Sequence, residues 1–409
     1  MKILHTADWH LGDRLGRIDR TDDLRRAVER VADYCARLRV DVLLVAGDLF
    51  SELARPDGLR EAIRHVQETF RGFLRDGGTI LTLTGNHDNE NFCQTLCHAM
   101  SLAAPAADEP GALVPPGRLY LASQPTFLRL ADPHDGCEVQ FILMPYPTPT
   151  RYLDREESQR YHSLEEKNKH LQSAYTAALA HLRAHPRFDP KRPSVLSAHV
   201  HVRGGEVSTL FRISEQEDVV FESDDLPADF AYVALGHIHK PQCIGGHAHV
   251  RYSGSIERMD LGEASDNKSV VVFEVGPDGR RGEPEVLPLE STPVYEVDVR
   301  DPRAELPLLA SSYPDAERAL VHVKLKYTAG VDNLDETLSE LEKIFPRWYA
   351  RDWKESGALD DPLTLGEAPR GKSFEDTVRD YLKAELVNHQ DAEREAVLAR
   401  AEQLLRDEV

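Results

Sequence analysis

The chain has 409 residues, 41% of them hydrophobic and 29% charged, with a formal net charge of −21. That length calls for two or three domains and a large core, and no apolar run approaches the ~20 residues that cross a bilayer. The acidic balance argues against binding nucleic acid through the overall field. A polyanionic substrate would need bound cations or a partner subunit to offset the repulsion. The opening Met-Lys-Ile-Leu-His-Thr-Ala-Asp-Trp-His has no apolar signal stretch, so a cytoplasmic protein without membrane contact is expected.

Residues 1–7 are predicted as a first strand. Residues 22–38 form an amphipathic helix with Leu24, Val28, Val31 and Cys35 on one face, and 40–46 form a second buried strand closing in Gly47-Asp48. A helix over 57–75 leads to a strand over 79–84. The resulting β-α-β-α-β order is the signature of a parallel or mixed sheet covered by helices, and the fold class expected is α/β. A helix over 91–103 carries Cys93 and Cys97 at a helical spacing. The five cysteines are therefore expected as reduced structural thiols, not as a redox or zinc pair. Residues 104–118 read as loop. Shorter strands are expected at 126–130 and 138–144, a long helix at 155–184, and apolar strands at 195–198 and 232–235, each ending in a histidine motif. Residues 249–256 and 269–275 are expected as antiparallel strands. After Pro293 a strand at 294–299, a helix at 303–312, a strand at 319–327 and a helix at 333–345 predict a small separate α/β domain. Residues 355–373 read as a linker, and helices at 374–388 and 391–407 close the chain.

The run Ile80, Leu81, Leu83 stops at Gly85-Asn86-His87-Asp88, which puts polar groups at a strand tip, where open α/β sheets bind ligands. Alone this is equally a polar turn capping the next helix, but four other strand-like runs end the same way. Asp8 and His10 are two apart after strand one, and in extended chain both would face one way. Asp48 ends strand two and can bridge two cations. Asn86 offers a carbonyl oxygen, His199 ends its strand, and His237 and His239 form Gly-His-Ile-His. These seven donors suffice for two cations sharing Asp48. Two cations ~3.5–4 Å apart clamp the attacking and leaving oxygens of an in-line displacement at phosphorus. Imidazole and carboxylate without thiolate suit manganese, iron or zinc better than magnesium or calcium.

The ordered set Asp8-x-His10, Gly47-Asp48, Gly85-Asn86-His87-Asp88, His199 and Gly236-His237-x-His239 resembles the calcineurin-like metallophosphoesterases over about residues 1–280 and more loosely beyond. The opening twelve residues, Ala-Gly-Asp-Leu-Phe at 46–50 and Gly-His-Ile-His-Lys-Pro-Gln at 236–242 are most similar to the family's bacterial DNA nucleases that act with an SMC-like ATPase subunit. The resemblance implies a metallophosphoesterase-type sheet sandwich flanked by helices over 1–288, a capping domain that positions DNA over 289–354, a linker over 355–373, and a helical segment over 374–409 that docks on the ATPase. It implies a homodimer formed through helices of the first domain. It also implies a manganese-dependent double-strand exonuclease and single-strand or hairpin endonuclease of DNA repair and recombination. One metal would be held by Asp8, His10, Asp48 and His239, and the second by Asp48, Asn86, His199 and His237. His87 would not be a ligand. It would face the scissile phosphate, stabilising charge or protonating the leaving oxygen, a task suited to an imidazole. Family members often carry His or Asp directly after the Gly-Asp-x-Phe segment, whereas this chain has Ser51 followed by Glu52. Either Glu52 substitutes, or the task is done differently.

Other features have plainer readings. Residues 366–373, Gly-Glu-Ala-Pro-Arg-Gly-Lys-Ser, formally match a phosphate-binding loop but lack a buried strand before them, and are read as linker. His247 and His249 are expected exposed on a hairpin, and His162, His170, His181 and His185 on the surface of the long helix. His201 could face the same way as His199, which is favoured because it is nearer the strand end. Arg14, Arg17 and Arg20 either meet a DNA backbone or lie in a solvated loop. The alternatives to a nuclease are a phosphatase or phosphodiesterase acting on a small phosphoester, and a non-catalytic subunit that tethers DNA ends.

Overall fold

Leucine- and valine-rich runs form the parallel strands Lys2–Thr6, Val42–Val45 and Thr79–Leu83 in a computed structural model of the chain. The structure describes residues 1–104, 109–153, 161, 163–209, 218–227 and 229–356. The phosphate-loop-like stretch at 366–373 and both C-terminal helices lie outside the described residues. Residues Met1–Leu325 and Asn333–Trp353 form one compact unit.

Two sheets face each other. The first has six strands, in the order Gly279–Pro288, Ser269–Gly276, Lys2–Thr6, Val42–Val45, Thr79–Leu83, Leu119–Ala122. The second has seven, in the order Gln242–Ile244, His247–Tyr252, Tyr232–Gly236, Ser194–His199, Glu138–Met144, Thr126–Ala131, Ala112–Leu113. The apolar runs are continuous because both strand faces are covered. Ile3, Val42, Leu44, Leu81 and Leu83 pack against Phe141, Leu143, Val195 and Tyr232 between the sheets. Their neighbours Leu4, Leu43, Val45 and Ile80 pack outward with Leu24, Val28 and Val31 of helix Thr21–Leu38 and Phe70 of helix Pro56–Arg75. Helix Leu164–Arg183 covers the second sheet with Leu171, Tyr175 and Leu179. The result is the helix-flanked sheet sandwich of the α/β class expected from the sequence.

The long helix expected at 155–184 starts only at Leu164. The Ser163 hydroxyl accepts the Glu166 N–H at 3.1 Å and caps it, and Tyr161 lies outside it. The strands near 249–256 and 269–275 are not partners. His247–Tyr252 runs parallel to Tyr232–Gly236 in the second sheet, and Ser269–Gly276 runs antiparallel to Lys2–Thr6 in the first. The sequence reading missed Leu119–Ala122, Gly279–Pro288 and Trp348–Glu355. Gly279–Pro288 reads Gly-Arg-Arg-Gly-Glu-Pro-Glu-Val-Leu-Pro and has no period-two apolar pattern. It is a strand because the hairpin folds it onto Ser269–Gly276.

Toward the C-terminus Val294–Val299, Leu320–Tyr327 and Trp348–Glu355 form a three-stranded sheet. Helices Pro302–Ser312 and Leu334–Ile344 help enclose its own core around Val297, Leu309, Val323, Leu341 and Phe345. Of the arginines read from the sequence as loop or DNA contacts, Arg14 and Arg17 lie exposed in their loop and Arg20 does not. Arg20 is fully buried, donating to Asp23 at 2.7 Å and Glu257 at 3.2 Å. Arg17 lies 3.8 Å over the Trp348 ring and donates to the Pro346 and Trp348 carbonyls, both at 3.0 Å. Among the described residues no helix is long and apolar enough to cross a membrane.

Candidate metal centre

Register brings the motif loops together. Thr6 pairs with Val45, Val45 with Thr82, and in the other sheet His199 with Gly236, all between parallel strands. The loops leaving these carboxyl ends therefore emerge side by side. The close approach needs small residues. A Cβ at Gly236 would strike the Ala46 carbonyl, and one at Gly85 would strike the Asp48 carboxylate.

Asp8 and His10 do not lie on extended chain, as the i, i+2 spacing suggested. The strand ends at Thr6, and both residues adopt the left-handed region, with φ of 53° and 45°. Asp48 (φ 51°) and His237 (φ 104°) do the same. Among the described non-glycine residues only Arg39 joins them. Such backbone costs ~1–3 kcal/mol per residue and persists where surrounding bonds impose it. Here the Asp8 N–H donates to the Gly47 carbonyl at 3.1 Å. The Trp9 and His10 N–H groups donate to the Asp48 carbonyl at 2.8 and 2.9 Å, lacing one loop onto the other.

The seven donors named from the sequence lie in one connected group. His10 Nε2 is 3.1 Å from His239 Nε2 and 3.9 Å from Asp48 Oδ2. Asp8 shares a cluster with both histidines, and its Oδ1 accepts the His237 N–H at 3.0 Å. His199 Nε2 is 3.2 Å from Asp48 Oδ2 and 3.0 Å from Asn86 Oδ1, which is 2.9 Å from His237 Nδ1. Asp48 thus touches both halves. His87 stands at the rim, its ring 4.9 Å from that of His10, and its N–H donates to Asp48 Oδ1 at 2.9 Å. Glu52 Oε1 is 3.5 Å from His87 Nδ1.

Proton bookkeeping tests whether this group fits a cation. The His199 Nδ1–H donates to the Ala46 carbonyl at 2.7 Å, so in the neutral ring Nε2 would turn a bare lone pair on the Asp48 carboxylate. Only an extra proton on His199 or a cation resolves that meeting. Burial works against protonating His199, but Asp48 and Asp8 beside it raise its pKa to about 9. Burial pushes the Asp8 carboxyl up. It also opposes ionisation of Asp48, yet His199, His87 and His10 hold that carboxyl well below the usual range. Dry carboxylates, imidazole nitrogens and an amide oxygen converging on one another are the donor chemistry of a divalent-metal centre.

Sequence reasoning missed three groups around this centre. Glu263 accepts the His239 Nδ1–H at 2.7 Å and pairs with buried Lys268 at 2.6 Å. Asp218 lies 2.5 Å from His237 Nε2 and 3.2 Å from His201 Nδ1, so His201 sits behind His237 and not beside Asp48. Tyr146 donates its hydroxyl to Asp218 at 2.6 Å. Two carboxylates among 70 acidic residues, at no fixed spacing from their partners, carry no local signal. Asp88, inside the motif, was visible. It accepts the Gly85 and Phe50 N–H groups at 2.8 Å each and so pins the loop, while burial and nearby Asp48 push its carboxyl up to about 7.

Comparison with known proteins agrees with this geometry. The calcineurin-like phosphoesterase family matches residues 1–241. The chain is 30% identical over 304 residues to SbcD, the nuclease component of SbcCD, from Bacillus subtilis, covering 72% of each chain. It is 25% identical over 360 residues to SbcD of Staphylococcus epidermidis, covering 86% of this chain and 84% of the relative. It is 29% identical over 322 residues to SbcD of Escherichia coli, covering 75% and 70%. With the helix-flanked sandwich and the converging donors, these matches show that the chain belongs to the calcineurin-like phosphoesterase family and, within it, to the SbcD nucleases.

Proposed function

We propose that the chain hydrolyses DNA phosphodiesters as the nuclease subunit beside an SbcC-like ATPase, using two divalent ions, manganese by preference. The observation that carries this reading is His199 Nε2 held against Asp48 Oδ2, with Asn86 and His237 on one side and His10 and His239 on the other. Asp8, His10, Asp48 and His239 would hold one ion, and Asp48, Asn86, His199 and His237 the other. When bound, the ions supply Lewis acidity and neutralise the phosphodiester, which offsets the net charge of −21.

The remaining work falls to the chain itself. Asp48 aligns the loop of His87 by accepting its N–H. Glu52 steadies the ring from its Nδ1 side, leaving Nε2 to stabilise charge on the phosphate or protonate the leaving oxygen. Glu52 thus acts from one residue beyond the place where relatives often carry His or Asp and this chain has Ser51. The reading includes a homodimer, a capping domain over 289–354, docking of 374–409 on the ATPase and a cytoplasmic setting. These rest on the sequence resemblance.

Purified protein with manganese should degrade duplex DNA and open hairpins faster than it turns over p-nitrophenyl phosphate. His87→Gln should keep both metals, measured by mass spectrometry, and lose about 10²–10⁴-fold in cleavage. A wild type that binds two metals yet leaves DNA intact, alone and with its ATPase, would overturn the nuclease reading.

A further inference from the structure

We propose that Asp218 is a positioning residue. It holds the His237 ring so that Nδ1, and not Nε2, presents a lone pair toward Asn86 and His199. The inference rests on the metal-centre reading above and adds a residue that the motif does not contain.

Asp218 is buried, and both its oxygens are engaged. Oδ2 receives His237 Nε2 at 2.5 Å and faces His201 Nδ1 at 3.2 Å. Oδ1 accepts the Tyr146 hydroxyl at 2.6 Å and the Val219 N–H at 3.1 Å. An ionised carboxylate only accepts, so His237 must carry a proton on Nε2, and in the neutral ring that leaves Nδ1 bare 2.9 Å from Asn86 Oδ1. The Tyr146 ring lies against that of His237, centroids 5.5 Å apart, and blocks the ring from swinging away.

The partner two residues on is set the other way. Glu263 takes the His239 Nδ1–H at 2.7 Å, leaving Nε2 to face His10. Glu263 is also tied to Lys268, whose ammonium donates to the His239 carbonyl at 3.0 Å. Gly-His-Ile-His therefore presents opposite ring nitrogens to the two halves of the centre, each chosen by a separate buried carboxylate. In water the two neutral forms of imidazole interconvert freely. A ring with its proton on the wrong nitrogen turns an N–H toward the cation. Outer partners that fix this choice are typically worth about 10- to 100-fold in metal affinity.

The test uses the full chain in two arms. In the metal-free protein, ¹⁵N shifts of histidine-labelled samples report the proton position on each ring. His237 is expected as the Nε2–H form in the wild type and as a mixture in Asp218→Leu. In the second arm, calorimetric titration with manganese is expected to show two equivalents. In Asp218→Leu one is weakened about 10- to 100-fold and the other unchanged, and in Glu263→Gln the opposite equivalent is weakened. Should Asp218→Leu not fold, Asp218→Asn is scored instead. Its amide still accepts a hydrogen bond but brings no charge, so the same equivalent weakens by a smaller factor. The proposal is overturned by a bare Nε2 on His237 in the wild type, by unchanged affinities in the folded variant, or by a third manganese equivalent lost with Asp218. A wild type that binds no manganese sinks the metal-centre reading instead, and the tautomer arm still decides the role of Asp218.

Discussion

Two groups of two aspartates and one histidine sit at opposite ends of the same parallel strands. Asp8, Asp48 and His199 lie at the carboxyl ends, and Asp41, Asp132 and His134 at the amino ends. The residue types match, and so does the spread of their donor atoms. Their surroundings do not. Asp132 pairs with the Met1 amine, Asp41 accepts the Lys2 N–H at 2.7 Å, and the His134 side chain is 69% exposed. Each charge there is already answered by a cation, an amide or water. At the other end all three side chains are dry, two of the three backbones are left-handed, and an imidazole nitrogen meets a carboxylate that only a proton or a cation can bridge. A metal-type donor set means little until its protons are counted.

The sharpest way to break this contrast is Asp48→Asn. Asp48 lies against His10 in one half of the centre and His199 in the other. Its loss should weaken both manganese equivalents by more than the ~100-fold of an outer partner and abolish hairpin cleavage. Calorimetry and a hairpin-opening assay check this. A variant that still cleaves would show that the carboxyl-end group is no more a centre than the amino-end one.

His5 gives a smaller effect, from the middle of the same strand. It is fully buried, with Nδ1 3.0 Å from the Tyr232 hydroxyl, and burial lowers its pKa to about 3. Because the folded value lies below the unfolded one, the unfolded chain takes the proton first as pH falls. Stability is therefore whole above about pH 6.5 and is lost progressively toward pH 3, by up to about 1.4 kcal/mol per pH unit. Urea unfolding at pH 6.5 and 4.5 should show a shallower fall in His5→Phe than in the wild type. Equal slopes would mean that His5 gains a counter-charge in solution.

The smallest expected effect sharpens the comparison from the other side. His134→Ala should leave manganese stoichiometry and cleavage unchanged and stability within about 0.5 kcal/mol. A lost metal equivalent would show that the amino-end group binds after all.

Much of the candidate site was legible because it is written in short motifs. Apolar runs that stop at Gly-Asp or Gly-Asn-His-Asp mark both a strand and its end, and the order of donors along the chain was visible without a structure. The arrangement of Asp8 and His10 was not. Extended chain was expected after Thr6, but hydrogen bonds to the Asp48 loop turn these residues left-handed. Arg17 does lie exposed in its loop, whereas Arg20 misled for a related reason. Its charge suggested solvent or DNA, whereas Asp23 one helical turn on and Glu257, distant in the chain, claim it.

By itself the sequence determined the class of fold, the strand tips and the kinds of donor, since burial period and turn chemistry are local properties. Tertiary structure decided which imidazole nitrogen faces inward, which carboxylates stand behind it, and that a polar stretch such as Gly279–Pro288 is a strand. Those outcomes follow from register between segments far apart in the chain, and no local pattern of residues encodes where two such segments meet.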